Sequence, residues 1–350
     1  MIPPGTGALW PRVRSMSPRT LAVMGMAKNT GKTVCLNHLL RQAHAADVPL
    51  GLTSIGRDGE ARDEVFSIPK PPVVVPRGCR VATARGTLAR ARLRTRVLGT
   101  TGIASPMGEI ALVEALETGE MEVAGPSRGD EQRRAIALLR QCGAELVLLD
   151  GALGRSQHAS PAIADAVVLA TGSAVGGGVQ DVLRKTRERL AVLGVAPADD
   201  GLACRVAPAF DCGGVGAWRR DGAPLFVEPI ATLNAAAALL ALHGEDVGTI
   251  AVSGAVGARL WSAVQALARP RPGLALVVSD GTRLFVGARD LAAFERDGGV
   301  VRALRPIRLA GVALNPVSPF GGGFDAHDFL AQARAALPGH GVCDVMLPHA

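Results

Sequence analysis

The spacing of apolar residues changes period along the chain, and the first clear change falls within Leu21–Leu40 (LAVMGMAKNTGKTVCLNHLL). Leu21–Met24 is a short apolar run and reads as a buried strand. From Val34 onward Leu36, Leu39, Leu40 and Ala43 recur at helical spacing, and the polar, glycine-bounded stretch Gly25–Thr33 lies between. Asp47-Val-Pro49 stops the helix, and Leu50–Ile55 reads as a second strand running into the polar turn Gly56–Glu60. Pro69–Pro76 is a stiff connector that breaks any central strand there. Cys79–Ala84 reads as a short strand, followed by a helix through the arginines of Arg85–Arg96. Gly102–Pro106, Ile110–Val113 and Met121–Ala124 read as brief strands or edges. Ser127 is placed to N-cap a helix to about Arg140, with Gly143 just past its end.

Glu145–Asp150 and Asp165–Thr171 are continuous apolar runs of the kind found in strands buried on both faces. Gly172–Gly178 (GSAVGGG) then leads into a helix from about Gln180 to Leu193. Strand–helix alternation to this point predicts an α/β domain with a mainly parallel sheet flanked by helices. Its expected limits are residues 20–195, after a loose leader at 1–19. Ala196–Gly201 reads as a linker, and residues 201–350 as a second, smaller α/β domain. Strands are expected there at Leu225–Glu228, Ile250–Ser253, Leu274–Ser279, Ile307–Leu314 and Asp344–Leu347. Helices are expected at Ala231–Leu242, Ala258–Ala268 and His327–Leu337. The role expected for this half is binding of a partner or client.

With 350 residues, 48% hydrophobic and 20% charged, the chain reads as soluble and globular, and no stretch has the length of a membrane span. Without a secretory signal pattern the expected location is cytoplasmic, and the six cysteines read as reduced thiols. The net charge of +7 is carried almost wholly by arginine, most densely at Arg85, Arg90, Arg92, Arg94 and Arg96. Aromatics are only 3% of the chain and do not interleave with those arginines, which argues against nucleic acid as the partner. Lysine is confined to Lys28, Lys32, Lys70 and Lys185, and two of these lie in the glycine-bounded stretch.

That stretch, GMAKNTGKT at Gly25–Thr33, has the composition of a phosphate-binding loop. Such a loop aims backbone N–H groups at an anion from a helix N-terminus. Its lysine reaches the β- and γ-phosphates, and the next hydroxyl ligates Mg²⁺. The nucleotide-binding set is Gly25, Lys28, Asn29, Thr30, Gly31, Lys32, Thr33 and Val34, with ATP and Mg²⁺ as ligands. Asp150, ending an apolar strand, has the form of a Walker B acid, and Gly151 behind it allows close backbone approach. Asp58, in the turn after the second strand, is placed at the end of the sheet where ligands collect. The catalytic set is then Lys32, Asp58 and Asp150, and the metal set Thr33, Asp58 and Asp150. Glu60 and Asp63 stand near Asp58, while His158 reads as a loop residue. Asp211-Cys-Gly-Gly214 faintly suggests an amidotransferase nucleophile turn, but the apolar strand before it is poor.

The leading glycine of the loop stands one position further from Gly31 than usual, which resembles the loop of dethiobiotin synthetase and its relatives among P-loop NTPases. Four segments together resemble the P-loop subunit of the lysine 5,6-aminomutase reactivase. They are GMAKNTGKT at 25–33, LTSIGRDGE at 52–60, the DGA that opens at Asp150, and NPVSPFGG at 315–322. The resemblance implies a P-loop NTPase that helps an adenosylcobalamin-dependent aminomutase exchange damaged cobalamin. It also implies a MutS-like ATPase as partner. The alternative is a dethiobiotin synthetase-like ligase acting on a small carboxylate or amine; Arg57 and Asp58 stand where that family uses a substrate lysine. A third class, a nucleotide-binding regulator, would bind ATP without turning it over. A related branch uses a loop lysine that reaches across a homodimer, and Lys28 lies one position from where that lysine falls.

Overall fold

Period and burial agree in the strands that carry the loop. Thr20–Gly25 is buried along its first five residues, and Leu146–Asp150 and Ala166–Gly172 are apolar on both faces. The computed structural model describes residues 9–55, 71–151, 160–318 and 321–347. The chain forms two units: residues 1–186 together with 308–350, and residues 187–307. The break therefore falls earlier than Ala196–Gly201, and the second unit is an insertion rather than a C-terminal half.

The first unit begins α1 (Leu9–Met16), β1 (Thr20–Gly25), α2 (Lys32–Ala45), β2 (Leu50–Ser54), β3 (Val73–Val75) and β4 (Arg80–Ala84). It continues with α3 (Arg85–Leu88), β5 (Thr95–Thr100), β6 (Ile110–Ala115), β7 (Gly119–Met121), α4 (Gly129–Gln141), β8 (Leu146–Asp150) and β9 (Ala166–Gly172). Helix α5 (Val179–Leu193) runs across the boundary. The insertion holds α6 (Asp200–Asp211), β10 (Val215–Arg219), β11 (Pro224–Glu228), α7 (Ala235–Leu240) and β12 (Val247–Val252). After these come α8 (Ala258–Ala268), β13 (Ala275–Val278), α9 (Ala288–Arg296) and β14 (Val300–Ala303). The chain then re-enters the first unit as β15 (Leu309–Asn315), α10 (Ala326–Ala336) and β16 (Val342–Cys343).

The first unit is built on a nine-stranded sheet of order β16-β15-β9-β1-β8-β2-β4-β6-β5. All neighbours from β16 to β4 are parallel, and only β6 runs against its neighbours. The expected mainly parallel α/β sheet is present. Alternate residues of each strand feed two cores. Leu21, Leu148 and Val168 meet α1 and α2 on one side, and Ala82, Leu112 and Val147 meet Ile136 and Leu139 of α4 on the other. From β1 the chain moves toward β2, and it later crosses to β9 on the opposite side. The order of connections therefore reverses between β1 and β9, and open parallel sheets place ligands at the C-terminal strand ends of such a point.

The leader is not loose over its described part. Leu9 and Val13, one helical turn apart, are 0% and 1% exposed, and α1 packs against β15. Each buried side chain contributes about 1.5–3 kcal/mol. Pro11 sits in the first turn, where its missing N–H costs no helical bond. The arginine helix is also corrected. Only Arg85–Leu88 is helical, and the next element is β5. Arg90, Arg92, Arg94 and Arg96 recur every second residue, which is the period of extended chain rather than of a helix. They pair with Glu122 at 2.8 Å, Glu120 at 3.1 Å, Glu117 at 3.2 Å and Glu114 respectively. The densest basic stretch is thus largely matched by acid.

Other boundaries shift. Gly102–Pro106 forms no strand, the final strand is Val342–Cys343 rather than Asp344–Leu347, and α4 starts at Gly129 with Arg128 as N-cap instead of Ser127. Gly143 does take the left-handed conformation past α4, at φ 93°.

The inserted unit has its own five-stranded sheet, β11-β10-β12-β13-β14, with β12, β13 and β14 parallel. Val215, Ile250 and Leu276 pack with α7, α8 and α9, while Trp218, Ala251 and Val277 meet α6. Helix α6 covers the end of the expected linker and the stretch before Cys212. Cys212 is the helix's C-cap and its thiol bonds the Ala209 carbonyl at 3.4 Å. A nucleophile turn on a strand is therefore absent at Asp211–Gly214. Among the described residues no helix is long and apolar enough to cross a membrane.

Candidate functional site

The stretch between β1 and α2 is a tight loop closed on its own lysine. Lys32 is the first residue of α2, and its Nζ donates to the Ala27 carbonyl at 3.1 Å. The Thr30 hydroxyl, almost wholly buried, donates to the same carbonyl at 3.0 Å. Both side chains lie over Gly25, where a Cβ would come within 2.6 Å of Thr30 Oγ1 and 2.7 Å of Lys32 Nζ. A side chain at the leading glycine would thus displace both of these groups. Met26 N–H is tied to the Ala170 carbonyl of β9 at 3.0 Å, which anchors the loop to the neighbouring strand.

The backbone turns sharply at two positions. Asn29 has φ 60° and Gly31 φ 83°. The first is a left-handed residue of the one non-glycine type that best tolerates it, and the second needs glycine. Gly31 is the N-cap of α2 and supplies no side chain. The helical ladder opens with Cys35 N–H donating to the Gly31 carbonyl at 2.9 Å, so the N–H groups of Lys32, Thr33 and Val34 precede it. The first turn has no acidic residue, and its N1 position holds a cation. A helix N-terminus carries partial positive charge and favours the opposite arrangement. Lys28 is exposed at the loop tip.

Asp150 ends β8 directly beside β1, in register with Val23 on one side and Ser54 of β2 on the other. Its carbonyl accepts Ile55 N–H at 3.1 Å, and Gly151 N–H donates to the Val23 carbonyl at 2.9 Å. A Cβ on Gly151 would fall 2.5 Å from that carbonyl oxygen, so the strand end must be glycine there too. Asp150 is half-buried and lies at the same end of the sheet as the loop. Asp58, Glu60, Asp63 and His158 lie outside the described residues.

Sequence reasoning missed Asn315. It ends β15 beside Gly172 of β9, and its side-chain amide donates to the Asn29 carbonyl at 2.9 Å. Its Cβ lies 2.9 Å from where a Cβ on Gly31 would be. The stretch that opens at Asn315 is one of the four resembling segments, but nothing in spacing links positions 286 residues apart. The glycine run after β9 is closed by an ion pair. Lys185 Nζ contacts Asp181 at 2.8 Å and the Val175 carbonyl at 3.0 Å. Hydrogen bonds from Lys185 and Arg184 pull the Asp181 carboxyl down to about 2.

Among the described residues no group of three or more His, Cys, Asp or Glu side chains could hold a metal by itself. A hard cation here would draw on one hydroxyl, one carboxylate and the oxygens of a ligand, the pattern usual for Mg²⁺. Compared with protein-family models, curated proteins and solved structures, the chain gives no match.

Proposed function

We propose that this chain is a Mg²⁺-dependent P-loop ATPase acting as the helper subunit that restores an adenosylcobalamin-dependent aminomutase. The observation that carries the nucleotide part is the start of α2. Lys32 occupies a position that the helix dipole disfavours for a cation, with no acid in the first turn and no side-chain cap at Gly31. An anion at that point offsets the lysine and accepts from the leading N–H groups together, which makes three local departures from helix design serve one ligand.

In this reading the N–H groups of Lys32, Thr33 and Val34 and the Lys32 ammonium hold the β- and γ-phosphates. The Thr33 hydroxyl and the Asp150 carboxylate face the metal, and Asp58 joins them. Mg²⁺ neutralises charge on the β- and γ-oxygens when bound. Phosphoryl transfer asks mostly for positioning and electrostatics, which a set of this size supplies. The assignment to a reactivase rests on the four resembling segments. It is supported by the meeting of two of them: Asn315 of the fourth bonds Asn29 of the first.

The test is phosphate release from Mg·ATP by the purified chain, alone and with an inactivated cobalamin-dependent aminomutase and its MutS-like partner. Stimulation by those proteins, lost in Lys32→Ala, is expected. Unchanged turnover in their presence overturns the reactivase reading. ADP formed in proportion to a product of a small carboxylate or amine would make the chain a ligase. ATP binding without turnover would make it a regulator. If Lys32→Ala left Mg·ATP affinity and turnover intact, the site itself would be wrong.

A further inference from the structure

The C-terminal stretch opening at Asn315 has no part in the loop motif, yet its first residue is built into the loop. We infer that Asn315 is a positioning residue for the phosphate site, holding the Asn29–Thr30 peptide in the one orientation that leaves its N–H available to an anion. The inference rests on the nucleotide reading above and names a residue that reading does not use.

The orientation of the Asn315 amide is fixed by its two partners. Oδ1 accepts Val317 N–H at 3.3 Å, and Nδ2 donates to the Asn29 carbonyl at 2.9 Å. A carbonyl can only accept and a backbone N–H only donate, so the two assignments support each other. The backbone of Asn315 is itself held in the sheet, in register with Gly172. A rigid strand end therefore grips the outer side of the loop.

Asn29 is where the loop needs gripping. It sits at φ 60°, a region costly for most residues with a side chain. The inner contacts, from Thr30 Oγ1 and Lys32 Nζ, both go to Ala27 and leave the Asn29 carbonyl to Asn315. In a trans peptide the C=O and the following N–H point in opposite directions. No peptide in the described chain is cis. Holding the Asn29 carbonyl toward β15 thus turns Thr30 N–H away from it. Freed, that peptide can rotate and bring a carbonyl oxygen toward the place an anion would take, where it repels phosphate.

Three variants separate the hydrogen bond from the packing over Gly31. Asn315→Leu keeps the volume and loses the donor. Asn315→Asp keeps the shape and donates only when protonated, and Asn315→Ala loses both. Equilibrium binding of a fluorescent ATP analogue with Mg²⁺ to the full chain is read alongside the unliganded Tm. Leu and Asp are each expected to raise Kd about 10-fold, the loss of one positioned hydrogen bond. Their unliganded Tm stays within a few degrees of the parent. Parent-like affinity in Asn315→Leu or in Asn315→Asp, or unfolding of both variants, overturns the inference.

Amide hydrogen exchange across residues 26–33 gives a readout without nucleotide. Faster exchange in Asn315→Leu supports the grip even if the parent binds no ATP, a result that would fault only the nucleotide reading. Unchanged exchange together with parent-like binding would fault the grip alone.

Discussion

Gly172 and Asn315 stand opposite each other on β9 and β15, so close that a Cβ on Gly172 would lie 2.0 Å from the Asn315 carbonyl oxygen. The carbonyl oxygen and the Cα that would carry the methyl both belong to backbone paired in the sheet, so neither yields without opening the ladder. Gly172→Ala is expected to lower stability by on the order of 3 kcal/mol or more, read from denaturant unfolding. Gly177→Ala is the control, since a Cβ there meets nothing within 4 Å. Equal stability in the two variants would show that the β9–β15 contact is not as close as described.

Gly25→Ala tests the inside of the loop. The added methyl would displace the Lys32 ammonium and the Thr30 hydroxyl, which both lie under 3 Å from its position. The lysine end is flexible, so the fold adjusts at a cost of about 1–3 kcal/mol. The ammonium does not return to the same place, and Mg·ATP affinity should fall about 10-fold or more. Isothermal titration beside a melting curve distinguishes a loss of affinity from a loss of fold. Affinity equal to the parent's would argue that Lys32 does not act from its place over Gly25.

Stability should fall on mild acidification. Burial, with the nearby Arg41 adding to it, holds the His38 ring below its ordinary value of 6.5. His340 is lowered in the same direction by burial and Arg12. A base with a depressed folded-state value takes up its proton first in the unfolded chain. The stability is therefore full above about 6.5 and is lost as pH drops from there toward the folded values. His38 Nε2 is buried with no hydrogen-bond partner among the described residues, so none of them offsets the incoming charge by accepting from it. Unfolding free energies from pH 8 to 5 should slope downward below 6.5, and His38→Gln should flatten part of that slope. An unaltered slope would assign the titration elsewhere.

Thiol labelling reads the core directly. Cys35, Cys79 and Cys343 are buried. Burial raises the Cys35 thiol well above its ordinary value and pushes those of Cys79 and Cys343 up to about 12. Cys204 and Cys212 are exposed. At pH 8 a disulfide reagent should react first with the exposed pair and reach the three buried thiols only on unfolding, because the thiolate is the reacting form. Rapid labelling of Cys35 in the native chain would contradict the packing of α2.

Much of the first unit could be read from pattern because its signals are local. Leu21–Met24, Leu50–Ile55, Glu145–Asp150 and Asp165–Thr171 are apolar runs bounded by turns, and each became a parallel strand. Gly25, Lys32 and Thr33 stand out as candidates because strand, loop and helix adjoin in sequence, and Asp150 because it ends an apolar run. What stayed hidden depends on distant pairing. The extended path of Arg90–Arg96 into β5 depends on glutamates of neighbouring segments, although its two-residue period was present all along. The return of β15 to the first sheet leaves no mark on the residues between, so residues 308–350 looked like part of a second domain. Leu9 and Val13 were passed over because the prolines and arginines around them resemble a tail.

The separation between Asn29 and Asn315 also sets a schedule for biosynthesis. The loop leaves the ribosome before β15 does, and its outer grip follows 286 residues later. Until then β9, buried along all seven residues in the finished sheet, has no neighbour on the β15 side. A nascent chain stalled before residue 308 presents that strand as a bare apolar edge, which invites pairing with other chains. Translation must run through β15 before the earlier-made loop is locked, so a product terminated before residue 308 is driven toward aggregation rather than toward a half-competent protein.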